Sequence, residues 1–129
     1  MIQALATGCI LIAAGWLAFA AGVMAFAPAR AQRALAAMAS TPTIHFGEHI
    51  VRALVGVAMV IRADYSKAPL FFEWGGWFII ASSILIMLAP RRWHHNYAQW
   101  WAERIPPIAY RLLALPTLFF AGWFAYASL

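Results

Sequence analysis

Apolar residues fill four long stretches of this chain, and short polar stretches separate them. From Ala4 to Phe26 there are about 23 residues without a charge, enough to cross roughly 30 Å of hydrocarbon at about 1.5 Å per helical residue. Three further stretches, at 44–62, 70–89 and 107–128, are nearly as long and as apolar. Two shorter ones, 30–39 and 91–104, alternate with the helical period instead. Arg30 and Arg33 lie opposite Leu35 and Met38; Trp93, Tyr97, Trp100 and Trp101 gather on one side, with Arg92, His95, Asn96, Gln99 and Glu103 on the other. Such helices lie flat at the headgroup level, their indoles in the boundary. The pattern predicts an all-α membrane protein, a single domain over 1–129. Its four transmembrane helices form two hairpins in a parallel repeat, each with a cytoplasmic interfacial amphipathic helix.

The breaks sit where local chemistry puts them. Pro28 ends the first span, and Ser40-Thr41-Pro42-Thr43 supplies N-cap candidates for the second. Asp64 to Pro69 forms a short turn, Pro90 closes the third span, Pro106-Pro107 turns the chain back in, and Pro116 predicts a kink in the fourth. Within the first span Gly8, Gly15 and Gly22 recur every seventh residue with Ala18 and Ala25 adjoining, a small-residue stripe that lets another helix approach closely.

Charge sets the expected orientation. Arg30, Arg33, Arg91, Arg92 and Arg104 fall in the two long connections, whereas the short turn carries Arg62 and Lys67. The positive-inside rule then makes the long connections cytoplasmic and leaves both termini outside. A short likeness between halves supports the repeat: Ala27-Pro28-Ala29-Arg30 closes the first span and Ala89-Pro90-Arg91-Arg92 the third. Each is followed by a flat helix and by a span with one early arginine, Arg52 or Arg111. The unit from Pro90 onward, an apolar span closing in Pro-Arg-Arg-Trp followed by a flat helix and a returning span, resembles small bacterial inner-membrane proteins of unknown function. That likeness implies a bacterial inner-membrane location and no particular activity.

Composition agrees with the class. Of 129 residues 65% are hydrophobic and 10% charged, against roughly 25% charged in soluble domains; mean hydropathy is +0.76. The net charge of +5 answers to topology and anionic lipid headgroups rather than to nucleic acid, because the cations lie between spans. Cys9 has no partner for a disulfide within the chain. Gly8-Cys9 faintly resembles a lipoprotein signal and Ala29-Arg30-Ala31 a signal-peptidase site. With no cation before a run long enough to span, the segment is expected to be retained.

Chemistry concentrates in one stripe. His45, Glu48, His49 and Arg52 fall at i, i+3, i+4 and i+7 on one helical face, costly inside a span unless it faces a partner helix or a wet cavity. His45-Phe46-Gly47-Glu48-His49 resembles the H-x-x-E-H pattern of zinc proteases, in which two helical histidines bind zinc and the glutamate is the general base. The further acidic ligand of that family is not evident, since the remaining acidic residues are Asp64, Glu73 and Glu103. A broader reading adds His94 and His95 as metal or haem ligands from the second flat helix; being adjacent, they point about 100° apart, so at most one faces the bundle. Glu48 and Arg52 have the favourable i, i+4 order of a buried pair, and Arg111 at comparable depth leaves one positive charge over, a site for a lipid phosphate or anionic solute. From sequence alone we expect no cofactor and no enzyme. The expectation is an accessory, assembly or oligomeric component, partnered by lipid and by other subunits or its own copies. A small transporter or lipid- and anion-binding protein is the alternative, and a metal or haem protein the next.

Overall fold

The computed structural model describes every residue from Met1 to Leu129. It contains six α-helices, one 3-10 turn and no strand: α1 (Ile2–Phe26), α2 (Pro28–Ala36), α3 (Pro42–Arg62), the turn Ala63–Tyr65, α4 (Pro69–Leu88), α5 (Arg91–Arg104) and α6 (Pro107–Ser128). Four of them, α1, α3 with its turn, α4 and α6, are long and apolar enough to cross a bilayer. Their outer faces carry large exposed apolar side chains such as Trp16, Phe19, Leu85 and Phe119, the distribution of a bundle surrounded by lipid.

Proline at the first helical position starts α2, α3, α4 and α6, where the missing N–H costs nothing. Thr41 caps α3, its hydroxyl accepting from the Ile44 amide at 3.2 Å. The first flat helix, α2, begins earlier than the expected 30–39 because Pro28 opens it, and ends earlier, short of Ala39, whose left-handed φ of 55° breaks the helical pattern. Pro116 leaves α6 a single helix, and the adjacent Thr117 hydroxyl donates to the Leu113 carbonyl.

In the bundle α3 packs along α4, α1 along α6, and α1 along α3; α2 and α5 pack on each other across the end opposite the short turn. The α3–α4 approach is set by two glycines: a Cβ on Gly56 would stand 2.8 Å from the Gly76 carbonyl oxygen, and one on Gly76 2.7 Å from that of Gly56. The stripe in α1 behaves differently. Nothing lies within 4 Å of a Cβ built on Gly8, Gly15 or Gly22, and the inward face of α1 is Ala6, Ile10, Ala14 and Ala21. Ala18 is half-buried beside the stripe. The glycine positions therefore make no close contact with a helix of this chain, although Gly8 borders an apolar groove with Val51, Leu54 and Val55 of α3.

The apolar core lies at the turn end, where Ile10, Met59, Phe72 and Phe124 meet among alanines. Phe72 stacks on Phe124 with ring centroids 5.6 Å apart, and Phe71 meets Trp123 edge-on at 4.8 Å, so aromatic rings link α4 to α6. Arg62 closes this end by donating to the Ser128 carbonyl at 2.7 Å and to Gln3 Oε1 at 3.2 Å. Both chain ends thus sit beside the short turn, and the histidines lie at the other end.

Candidate metal centre

The polar stripe faces inward at two of its four positions. His45 and His49 are buried, 1% and 5% exposed, one helical turn apart on α3 as the i, i+4 spacing requires. Between them enters a third imidazole, His94 of α5. Its Nδ1 lies 3.4 Å from His45 Nδ1 and 3.5 Å from His49 Nε2, and one ring nitrogen from each of the three lies within 4.8 Å of the others.

The placement of His94 follows from its neighbours. On α5 the residues His94, Ala98 and Ala102 recur every fourth position; the two alanines are buried and let α2 approach. Arg91 donates to the carbonyls of Ala39 and Ser40 at 2.9 and 2.8 Å, holding the left-handed turn between α2 and α3. His95 Nδ1 meets the Met38 carbonyl at 2.8 Å, and Gln32 donates to Ala102. The two adjacent histidines thus divide, His94 into the bundle and His95 onto the turn. Trp93, Tyr97, Trp100 and Trp101 are exposed on the outer side of α5, and Arg104 stacks over Trp100 at 3.9 Å.

The expected ion pair does not form. Arg52 donates to the Ser82 hydroxyl at 3.0 Å, across the close α3–α4 contact, and Ser82 in turn bonds the Ile79 carbonyl. The Glu48 carboxylate lies by the Ala39 backbone amide, and its Oε2 is buried without a hydrogen-bond partner. Arg111 is exposed on α6, which packs on α1 rather than on α3, and makes no hydrogen bond to the stripe.

The three imidazoles are poorly explained by hydrogen bonding alone. Separations of 3.4 and 3.5 Å exceed the usual range for an N–H donor. The opposite ring nitrogens, His45 Nε2 and His49 Nδ1, are buried without a partner and point away from the convergence, so they call for water rather than for an ion held between the three rings. The two separations to His94 suit a metal, since nitrogens each about 2.0–2.1 Å from one ion stand about 3.3–3.6 Å apart in tetrahedral or trigonal arrangement; the set as a whole lies within 4.8 Å, so a small side-chain rotation brings all three onto one ion. Burial, reinforced by His45, His95 and Arg52, holds the His94 imidazole below its ordinary pKa and so favours the neutral ligand form. A bis-imidazole haem needs two imidazoles on opposite sides of a flat macrocycle, whereas here three ring nitrogens lie within 4.8 Å of one another with no room for a macrocycle between them.

No family model matches this chain, and no curated protein or solved structure matches it either. Sequence reasoning found His45 and His49 but weighed His94 and His95 equally. The four-residue recurrence of His94, Ala98 and Ala102 was the signal that separates them. Arg91 and Gln32, counted as a topology charge and not singled out at all, hold the turn and α5 in place. Gly56 and Gly76 passed unnoticed because each is a lone small residue in its own span.

Proposed function

We infer that this chain is a metal-binding integral membrane protein that holds one transition-metal ion between α3 and α5 through His45, His49 and His94. The observation that carries the reading is the convergence of three ring nitrogens from two separate elements inside a bundle otherwise poor in polar groups. Imidazole suits zinc, copper, iron and nickel. The protein's contribution is to keep these ligands neutral, to fix their spacing through the turn clamp of Arg91 and His95, and to shelter the ion from water beneath α5.

The membrane setting is part of the proposal. With five arginines in the long connections against Arg62 and Lys67 at the turn, the histidine end is cytoplasmic and both termini are outside, in a bacterial inner membrane. Then α2 and α5 are the interfacial helices of a parallel span, flat helix, span repeat, and exposed Arg30, Arg33, Arg92, Arg104 and Arg111 meet anionic headgroups. The test is metal content of the protein purified in mild detergent without chelator. One ion per chain is expected, lost in His94→Ala and retained in Glu103→Gln; a metal-free wild type that takes up no zinc or copper at micromolar concentration overturns the reading.

An assembly role is favoured by one separate observation, the α1 glycine stripe at Gly15 and Gly22, where no atom of the chain lies within 4 Å of an added Cβ. Gly15→Leu is expected to dissociate a complex held through that face, read by size-exclusion mass measurement, and an unchanged mass removes that role.

A further inference from the structure

The three histidines leave a metal ion short of charge. They bring no negative ligand, and Arg52 stands near enough to act on His94. A divalent ion held there by neutral nitrogens keeps its full double charge in a poorly solvated place, which is costly without an anion. Zinc also takes four ligands almost without exception.

The chain offers four carboxylates. Asp64 and Glu73 lie at the turn end, and Glu103 is exposed nine positions beyond His94 on α5. Glu48 alone shares the face of His45 and His49, at i+3 from the first and next to the second. Side chains at i and i+3 of one helix commonly ligate a single ion, as Glu-x-x-His pairs do in helical bundles. Its Oε2 is buried and makes no hydrogen bond, and the Arg52 that sequence assigned to it is engaged by Ser82. A carboxylate with one buried oxygen free of hydrogen bonds, on the helix that carries two of the three imidazoles, lacks a cation.

We propose that Glu48 completes this centre as its anionic fourth ligand, turning from the Ala39 amide toward the three histidines, and so makes it a site for a divalent borderline ion of the zinc class in preference to copper(I). The proposal rests on the tri-histidine reading. Copper(I) is satisfied by three neutral nitrogens and carries a single charge, so it gains least from the carboxylate. Zinc gains both the missing ligand and the missing charge. Release of Ala39 by Glu48 also ties occupancy to the turn that Arg91 and His95 clamp.

The full chain in mild detergent is titrated with zinc, and separately with copper(I) under a reductant, each against a competing chelator. The variants are Glu48→Gln, which keeps size and hydrogen-bonding capacity, and His94→Ala; circular dichroism and elution volume check that each is folded. Expected are tight zinc binding in the wild type, roughly 10- to 100-fold weaker binding in Glu48→Gln, copper(I) binding little changed by that substitution, and X-ray absorption of the zinc protein showing three imidazoles and a carboxylate oxygen. Equal zinc affinity in wild type and Glu48→Gln, or a zinc shell without a carboxylate, overturns the role of Glu48 while leaving the histidine site standing. Zinc binding that survives His94→Ala overturns the histidine site itself, and with it this inference.

Discussion

Replacing Gly56 by alanine tests the contact on which the placement of α3 depends. In a helix the change is favourable by propensity, by about 1 kcal/mol. Here the added methyl would lie 2.8 Å from the Gly76 carbonyl oxygen, 2.9 Å from Ile80 Cγ1 and 3.2 Å from the Ile80 amide nitrogen. Two of those three atoms are backbone and cannot swing aside. Relief requires α3 and α4 to separate by roughly half an ångström, and a gap of that size forfeits about a quarter of each dispersion contact along the interface. The expected net effect is a loss of about 1–3 kcal/mol, the usual range for overpacking. Gly76→Ala should cost as much, and the double variant less than the sum, since one separation relieves both clashes. Gly15→Ala, with nothing within 4 Å of the new atom, should stay within about 0.5 kcal/mol of wild type. Reversible unfolding in mixed micelles of mild detergent and dodecyl sulfate, followed by circular dichroism, gives the comparison. A Gly56→Ala protein as stable as wild type, or a Gly15→Ala protein equally damaged, would refute the reasoning.

The metal-free protein should lose stability as the pH falls through about 6.5, the ordinary histidine value. Burial first, then the neighbouring cations, lowers the folded pKa of His94, so between that lowered value and 6.5 the unfolded chain binds the extra proton. Unfolding midpoints measured with chelator across that range check it, and a flat profile argues against a buried neutral His94. Arg91→Gln removes two charge-assisted bonds to the turn at Ala39 and Ser40; the same assay should show a loss of about 1.5–3 kcal/mol, and a loss below about 0.5 kcal/mol would mean that the turn holds without its clamp. Reporter fusions at Leu129 and within the turn at 64–69 should report the outside, and insertions near Gln99 the cytoplasm; a cytoplasmic C-terminus would reverse the orientation given by the positive-inside rule.

Much of the architecture was legible in local pattern. A span needs only length and apolarity, and proline and a capping threonine mark its start, so the spans, the two short helices and their order could be read residue by residue. The i, i+4 spacing likewise put His45 and His49 on one face before any partner was known. The pairings were less legible, because in lipid every outward face is as apolar as an inward one and hydrophobic contrast no longer tells which side packs. The regular glycine stripe of α1 therefore marks a close helix approach without saying whether the partner lies inside or outside the chain, while the close internal contact joins two isolated glycines, Gly56 and Gly76, in different spans.

The candidate site shows the same division. Sequence by itself determined a membrane bundle with one ionisable stripe and a second pair of histidines, since these depend on composition and helical period alone. Only the tertiary structure decided that His94 rather than His95 enters the bundle, and that Arg52 turns to Ser82 and leaves Glu48 without its counter-charge. Each of those outcomes is a contact between residues at least thirty positions apart, or the loss of a local one to such a contact. A helix's own periodicity can offer a side chain to a face, but the neighbour that occupies that face is chosen by how the helices pack.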